Sequence, residues 1–126
     1  MEQSQYQAWR AEKMTDLTRR YMENGDNFDF NDLCDIVTIL RGEGGCPWDR
    51  EQTHKRIRND LIEETYEVIE AIDNGDTALL REELGDVLMQ VVLHAQIAAD
   101  TGEFTIDDVC ADINAKLIRR HPHVFG

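Results

Sequence analysis

Apolar residues recur at helical spacing along most of the chain, and turn-forming residues separate the periodic segments. In the second segment, for example, Leu33, Ile36, Val37 and Leu40 fall on one face of a helix. No stretch alternates apolar and polar residues as a β-strand would. The sequence therefore predicts an all-α fold with helices over about 4–23, 31–41, 50–73, 77–100 and 105–120.

Capping residues mark where these helices begin. Asp49 with Gln52 is predicted to open the third helix, Asp76 to cap the fourth, and Thr105 with Asp108 to open the fifth. The glycine-rich segment 42–49 is predicted to be a loop, and a turn of a few residues joins the third and fourth helices. Those two helices should therefore be antiparallel neighbours within a four-helix core, with a short extra helix at the N-terminus.

Composition narrows the class of protein. A formal net charge of −13 argues against binding to a nucleic-acid polymer, which requires a basic surface. No apolar run is long enough for a membrane helix and no signal-peptide core is present, which favours a cytoplasmic protein. Three widely spaced cysteines form no disulfide framework and are interpreted as reduced thiols.

Four acidic residues are placed symmetrically about the turn between the third and fourth helices. Counted from Gly75, Glu67 lies eight residues before and Glu83 eight after, while Glu64 and Asp86 lie eleven before and after. Equal counts give equal heights in an antiparallel hairpin, about 12 Å and 16 Å from the turn. The sequence thus predicts two carboxylate pairs that face each other across one helical seam.

Carboxylates held this close repel one another unless a cation lies between them. Oxygen-only ligands favour Mg²⁺, Mn²⁺ or Ca²⁺ over zinc, and Mg²⁺ commonly leaves coordination positions for substrate phosphates. The alternative is a solvated acidic face, which is common on helices. His94 follows Asp86 on the same stripe and is interpreted as a hydrogen-bonded interface histidine.

At these residues the sequence resembles the MazG family of all-α nucleoside triphosphate pyrophosphohydrolases. The resemblance rests on an EExxE…ExxD signature, formed here by Glu63-Glu64-x-x-Glu67 and Glu83-x-x-Asp86. The flanking segments 44–49, 52–53 and 116–125 agree with the family in order. It covers residues 31–126, which are predicted to form the MazG-like domain, and leaves residues 1–30 as a helical N-terminal extension.

The resemblance implies Mg²⁺-dependent hydrolysis of a nucleoside triphosphate to monophosphate and pyrophosphate by a homodimer. Clearance of non-canonical nucleotides is a hypothesis based on the family. Mn²⁺ is a possible substitute for Mg²⁺, and a tetramer stays open as an alternative to the dimer. The implied metal ligands are Glu64, Glu67, Glu83 and Asp86. The implied catalytic residues are Glu63, Glu64 and Glu67.

Lys116 and Arg120 match basic residues that contact the nucleotide phosphates in the family, and Arg119 lies alongside them. Trp48 is a further candidate for substrate binding, by stacking on the base, although from the residues alone an anchor for its loop is the favoured role. Without the resemblance, placement at a helix C-terminus is the preferred interpretation of the three cations.

Two other functions compete with this interpretation. One is a catalytically silent domain that binds nucleotide or has a regulatory role. This alternative stays open because the chain ends at Gly126, whereas family domains usually continue beyond this segment. Such an end is also expected of a piece of a larger protein. The other is a di-iron bundle, which requires paired Glu-x-x-His motifs. Glu51 and His54 form the only such motif, so the di-iron function is disfavoured.

Overall fold

The computed structural model describes residues 2–23 and 25–126, and it is helical throughout with short connections. This confirms the predicted all-α class. Met1 and Asn24, which the predicted N-terminal extension includes, lie outside the described residues. The helices are α1 (Gln3–Glu23), α2 (Phe30–Arg41), α3 (Pro47–Arg50), α4 (His54–Asp73), α5 (Thr77–Asp100), α6 (Ile106–Arg120) and α7 (Pro122–Phe125).

The chain divides into two compact units, residues 1–51 and residues 52–126. In the first unit, α1 is tied to α2 by a two-pronged ion pair in which Arg20 donates to both carboxylate oxygens of Asp32 at 2.8 and 2.9 Å. Asp32 also forms a reciprocal capping box with Asp29 at the start of α2. The Arg20 guanidinium and these backbone contacts hold the pKa of Asp32 well below its usual range.

The beginning of the third predicted helix was placed wrongly. Thr53, not Asp49, is the N-cap of α4, and its hydroxyl accepts a hydrogen bond from the backbone N–H of Arg56 at 3.2 Å. Asp49 lies inside α3, a single turn that begins at Pro47 and takes up the last three residues of the predicted loop. Proline is well tolerated there because its missing N–H has no partner in the first turn of a helix.

The other predicted caps are confirmed. The side chain of Asp76 accepts from the backbone N–H of Leu79 at 3.0 Å at the start of α5. Thr105 and Asp108 form a capping box at the start of α6. Gly75, in the turn between α4 and α5, has φ 64°, a conformation that glycine adopts without strain. The Asp76 cap and the Gly75 turn thus define where α4 ends and α5 begins, and these two helices form the hairpin that carries the candidate site.

The second unit is organised around the α4–α5 hairpin. Its buried side chains lie mainly in the second half of α5, including Val92, Leu93 and Ile97, with Ile57 opposite on α4. In contrast, every residue from 111 to 126 on α6 and α7 is exposed. None of the described helices is long and apolar enough to cross a membrane.

Candidate metal centre

Four carboxylates meet on the α4–α5 hairpin. Glu64 and Glu67 on α4 and Glu83 and Asp86 on α5 each offer one oxygen, and all four oxygens lie within 4.8 Å of one another. The cause is local: α4 and α5 are joined by only three residues, so positions equally far from the turn come to the same height. The four residues brought together are those that the sequence places on one seam by the count about Gly75.

Two members of this cluster carry oxygens that are shielded from water. Glu64 and Glu83 are half-buried, whereas Glu67 and Asp86 are exposed. The Oε2 atoms of Glu64 and Glu83 are buried and have no hydrogen-bond partner among the described residues. Because an unpaired buried acceptor is costly, such atoms indicate a site that is completed by a ligand.

The carboxylates raise one another's pKa values. A hydrogen bond shared with Glu67, followed by burial and by the charges of Glu67 and Asp86, raises the pKa of Glu83 to about 7. Burial first, and then the charges of Glu67 and Asp86, raises the pKa of Glu64. Without a compensating positive charge, the cluster therefore tends to hold a proton near neutral pH.

The donor set fits a hard divalent cation. All four groups are carboxylates, whose oxygens suit Mg²⁺ and Mn²⁺, whereas structural zinc sites use sulfur and nitrogen. A cation among them would pair with the buried oxygens of Glu64 and Glu83 and relieve the repulsion. The cluster can therefore hold a divalent metal ion.

The remaining predicted site residues lie on three different elements. Glu63 is exposed on α4 next to Glu64 and is not one of the four clustered acids. Lys116, Arg119 and Arg120 are exposed on the last two turns of α6, in the same unit as the cluster. Trp48 is 77% exposed on α3, in the first unit.

A histidine pair lies near the end of the α4–α5 hairpin that is away from the turn, where α4 begins. His54 and His94 have their Nδ1 atoms 2.8 Å apart, within hydrogen-bond distance. The interpretation of His94 as hydrogen-bonded thus holds at Nδ1, but its Nε2 is buried without a partner among the described residues. The sequence could have predicted this pair in the same way as the carboxylates, by counting residues from the turn. His54 lies 21 residues before Gly75 and His94 lies 19 after it, so the two residues are at nearly the same height on the hairpin.

The chain resembles known proteins over most of its length. Residues 52–125 match the MazG nucleotide pyrophosphohydrolase domain. A nucleoside triphosphate pyrophosphohydrolase/pyrophosphatase MazG from Thermotoga maritima is 59% identical over 97 residues, which cover 77% of this chain and 38% of that protein. A nucleoside triphosphate pyrophosphohydrolase from Escherichia coli is 50% identical over 100 residues, covering 76% of this chain and 38% of that protein.

A third relative is similar to the chain over about the same number of residues. The nucleoside triphosphate pyrophosphohydrolase of Mycobacterium tuberculosis is 51% identical over 99 residues, covering 75% of this chain and 30% of that protein. The chain thus spans about two fifths of the length, or less, of the relatives described.

Proposed function

Because the chain belongs to the MazG nucleotide pyrophosphohydrolase family, we propose that it hydrolyses nucleoside triphosphates to monophosphate and pyrophosphate with the aid of Mg²⁺. The observation that carries this proposal is the convergence of four carboxylate oxygens within 4.8 Å on one hairpin. A site of this kind takes a hard cation, and such a cation takes phosphate oxygens as its further ligands.

The four clustered acids are proposed to hold the metal: Glu64, Glu67, Glu83 and Asp86. When bound, the ion supplies positive charge to the phosphate oxygens of the substrate. Mn²⁺ is proposed as a substitute because it favours the same oxygen ligands. The unpaired buried oxygens of Glu64 and Glu83 support this assignment, since a metal ion would give each of them a partner.

In the proposed reaction a water molecule attacks the α-phosphorus. Its oxygen forms a bond to that phosphorus, the bond to the oxygen that bridges to the β-phosphorus breaks, and pyrophosphate leaves with the electron pair. Glu63, exposed one residue from the cluster, is proposed to orient the water. A clustered carboxylate such as Glu67 is proposed to accept the water's proton.

Lys116, Arg119 and Arg120 are proposed to contact the substrate phosphates, and Trp48 is proposed to contact the base. The three cations are exposed at the end of α6 and are therefore accessible to a nucleotide. Trp48 is also widely exposed, as an aromatic residue that stacks on a base would be. We further propose that the protein acts as a cytoplasmic homodimer that removes non-canonical triphosphates.

The test is the release of pyrophosphate from a panel of canonical and modified triphosphates, measured with Mg²⁺ and again with EDTA. Glu67→Gln should lower kcat/KM by at least a hundredfold, because it removes one charged ligand from the cluster. Glu70→Gln is the matched control, since Glu70 is an exposed acid one turn further along α4 and outside the cluster. It should keep the wild-type rate.

Equal rates for the wild type and Glu67→Gln would refute the role of the cluster. A wild-type protein that binds triphosphates without turning over any of them would refute the enzymatic function and favour a silent nucleotide-binding domain.

A further inference from the structure

Polar side chains continue along α5 beyond the carboxylate cluster. Glu83, Asp86, Gln90 and His94 follow one another at intervals of three or four residues. They therefore lie within an arc of about 80° on one face of the helix. Gln90 comes one turn after Asp86, about 6 Å further along the axis. The next polar neighbour of the clustered acids on this face of α5 is thus a carboxamide.

Buried polar atoms without a hydrogen-bond partner are concentrated on the same hairpin. Six such side-chain atoms occur among the described residues, and four of them are Oε2 of Glu64, Oε2 of Glu83, Oε1 of Gln90 and Nε2 of His94. Native proteins hold few atoms of this kind, because a buried acceptor that has lost its water is costly. The oxygens of Glu64 and Glu83 are assigned to the metal ion above, which leaves the Gln90 oxygen to be explained.

The facing helix supplies no donor for Gln90 Oε1. Gln90 lies fifteen residues after Gly75 and Asp60 lies fifteen before it, so the two are at the same height on the hairpin. A carboxylate accepts hydrogen bonds and donates none, so Asp60 cannot pair with a carboxamide oxygen. The donor is therefore a molecule bound between the helices.

We propose that Gln90 is a positioning residue of the metal centre, and that its Oε1 accepts a hydrogen bond from a water molecule on the divalent cation. This inference rests on the proposed function, which places that cation at the cluster. Mg²⁺ holds its ligand oxygens at about 2.1 Å and keeps several waters. A residue one turn beyond Asp86 is too far along the helix for its backbone to approach the ion, but a long side chain and one water span the gap.

A hydrogen bond of this kind strengthens metal binding. Side chains that accept from the ligands of a metal orient those ligands and raise the affinity of the site. In the absence of the ion, the same oxygen is a buried acceptor without a donor. Gln90 should therefore favour the metal-bound protein and disfavour the metal-free one.

The test is the affinity of the intact chain for Mn²⁺, measured from the EPR signal of the free ion. Gln90→Met keeps the length of the side chain and removes the carboxamide oxygen, so the Kd should rise about tenfold. Gln90→Glu keeps an acceptor at this position and should bind at least as tightly as the wild type. Equal Kd values for the wild type and Gln90→Met would overturn the proposal.

Gln96→Met is the matched control. Gln96 is also a half-buried glutamine on α5, but it lies on another face and donates to Asp100 at 3.0 Å. Its variant should keep the wild-type Kd for Mn²⁺. A tenfold rise in Gln96→Met as well would overturn the proposal, because loss of any α5 glutamine would then have the same effect.

Stability without metal separates this role from a purely structural one. Because its acceptor is unsatisfied in the metal-free protein, Gln90→Met should keep or raise the urea midpoint in EDTA while it weakens Mn²⁺ binding. A glutamine that only stabilised the fold would give the opposite pattern. A lower midpoint in EDTA with an unchanged Kd would thus overturn the proposal.

The number of waters on Mn²⁺, measured by water-proton relaxation, separates a water-mediated contact from direct ligation. Gln90→Met should leave this number unchanged, since the partner that it loses is one of those waters. One additional water on the ion in the variant would show that Gln90 Oε1 is itself a ligand, and would overturn the water-mediated contact.

The two proposals fail separately. Mn²⁺ binding that depends on Gln90, in a protein that turns over no triphosphate, would refute the proposed reaction and keep the role of Gln90. Turnover of triphosphates with equal Mn²⁺ affinities in the wild type and Gln90→Met would refute the role of Gln90 and keep the reaction.

Discussion

In the candidate metal centre, the ionised form of individual carboxylates is disfavoured in free energy. Glu83 lies beside Glu67 and Asp86, and its pKa rises to about 7 because its protonated form shares a hydrogen bond with Glu67, and then because of burial and the like charges of both neighbours. The pKa of Glu64 is also raised, with burial as the largest cause. A site that is destabilising when empty binds a cation more strongly, because the ion relieves repulsion that the fold already contains.

Metal-free protein should lose stability as the pH rises from 5 to 8. Glu83 titrates near 4.5 when unfolded and near 7 when folded, so the folded state holds more protons in this window and is favoured at its acidic end. His94 opposes this trend because its pKa is lowered, and the Glu83→Gln variant separates the two contributions. In EDTA, the urea midpoint should fall more steeply with pH in the wild type than in Glu83→Gln.

Glu82→Gln is the control for this measurement, since the neighbouring side chain is exposed and the charge change is the same. It should keep the wild-type slope. Adding Mg²⁺ at pH 8 should raise the midpoint of the wild type and of Glu82→Gln but not that of Glu83→Gln. If the urea midpoint fell equally steeply with pH in all three metal-free proteins, the explanation by repulsion among the clustered carboxylates would be contradicted.

The positions of these carboxylates could be predicted from the sequence, but their individual environments could not. Equal counts about Gly75 were sufficient because a short turn and two regular helices leave little freedom in height. Burial of one oxygen on Glu64 and on Glu83 depends on side-chain packing, which the spacing does not specify. The same holds for the His54–His94 hydrogen bond, where a match in height does not determine the rotamers.

At the level of elements, two of the three predicted caps are confirmed. Asp76 begins α5 and Thr105 begins α6, as their positions predict. Before α4 the predicted capping pair of Asp49 and Gln52 was wrong, and Thr53 was not predicted as a cap. Pro47 decides the outcome, because it begins a separate turn that includes Asp49 and leaves Thr53 to begin the long helix.

Thr53→Ala should lower the free energy of unfolding by about 1 kcal/mol, the usual cost of losing an N-cap hydroxyl. The affected bond is the one that Thr53 accepts from the backbone N–H of Arg56. Asp49→Ala should cost less than half as much, since that side chain does not cap α4. Denaturant unfolding of both variants measures the difference. A larger loss for Asp49→Ala would contradict the assignment of Thr53 as the cap.

For the whole molecule, the notable feature is the amount of apolar surface on α6, its last long helix. Ile113, Leu117 and Ile118 on α6 are 45%, 47% and 51% exposed. Large apolar side chains grouped on one helix usually mark a surface that another protein covers. This observation supports the proposed homodimer, in which a second copy would cover α6.

Ile113→Asp should weaken self-association by placing a charge on this surface, whereas Asn114→Asp adds the same charge at the neighbouring exposed position. Light scattering across a concentration series should find dimers for the wild type and Asn114→Asp, and a larger monomer fraction for Ile113→Asp. The surface would lose its proposed role if all three proteins had the same mass at every concentration.

The acidic cluster also has a consequence for how the chain folds. All of its members lie in one continuous stretch from Glu64 to Asp86, interrupted only by the turn. Closing so short a loop costs little chain entropy, and contacts that are near in sequence form early. The site can therefore assemble while the rest of the chain is still disordered. A cation that binds at that stage would speed folding instead of only slowing unfolding.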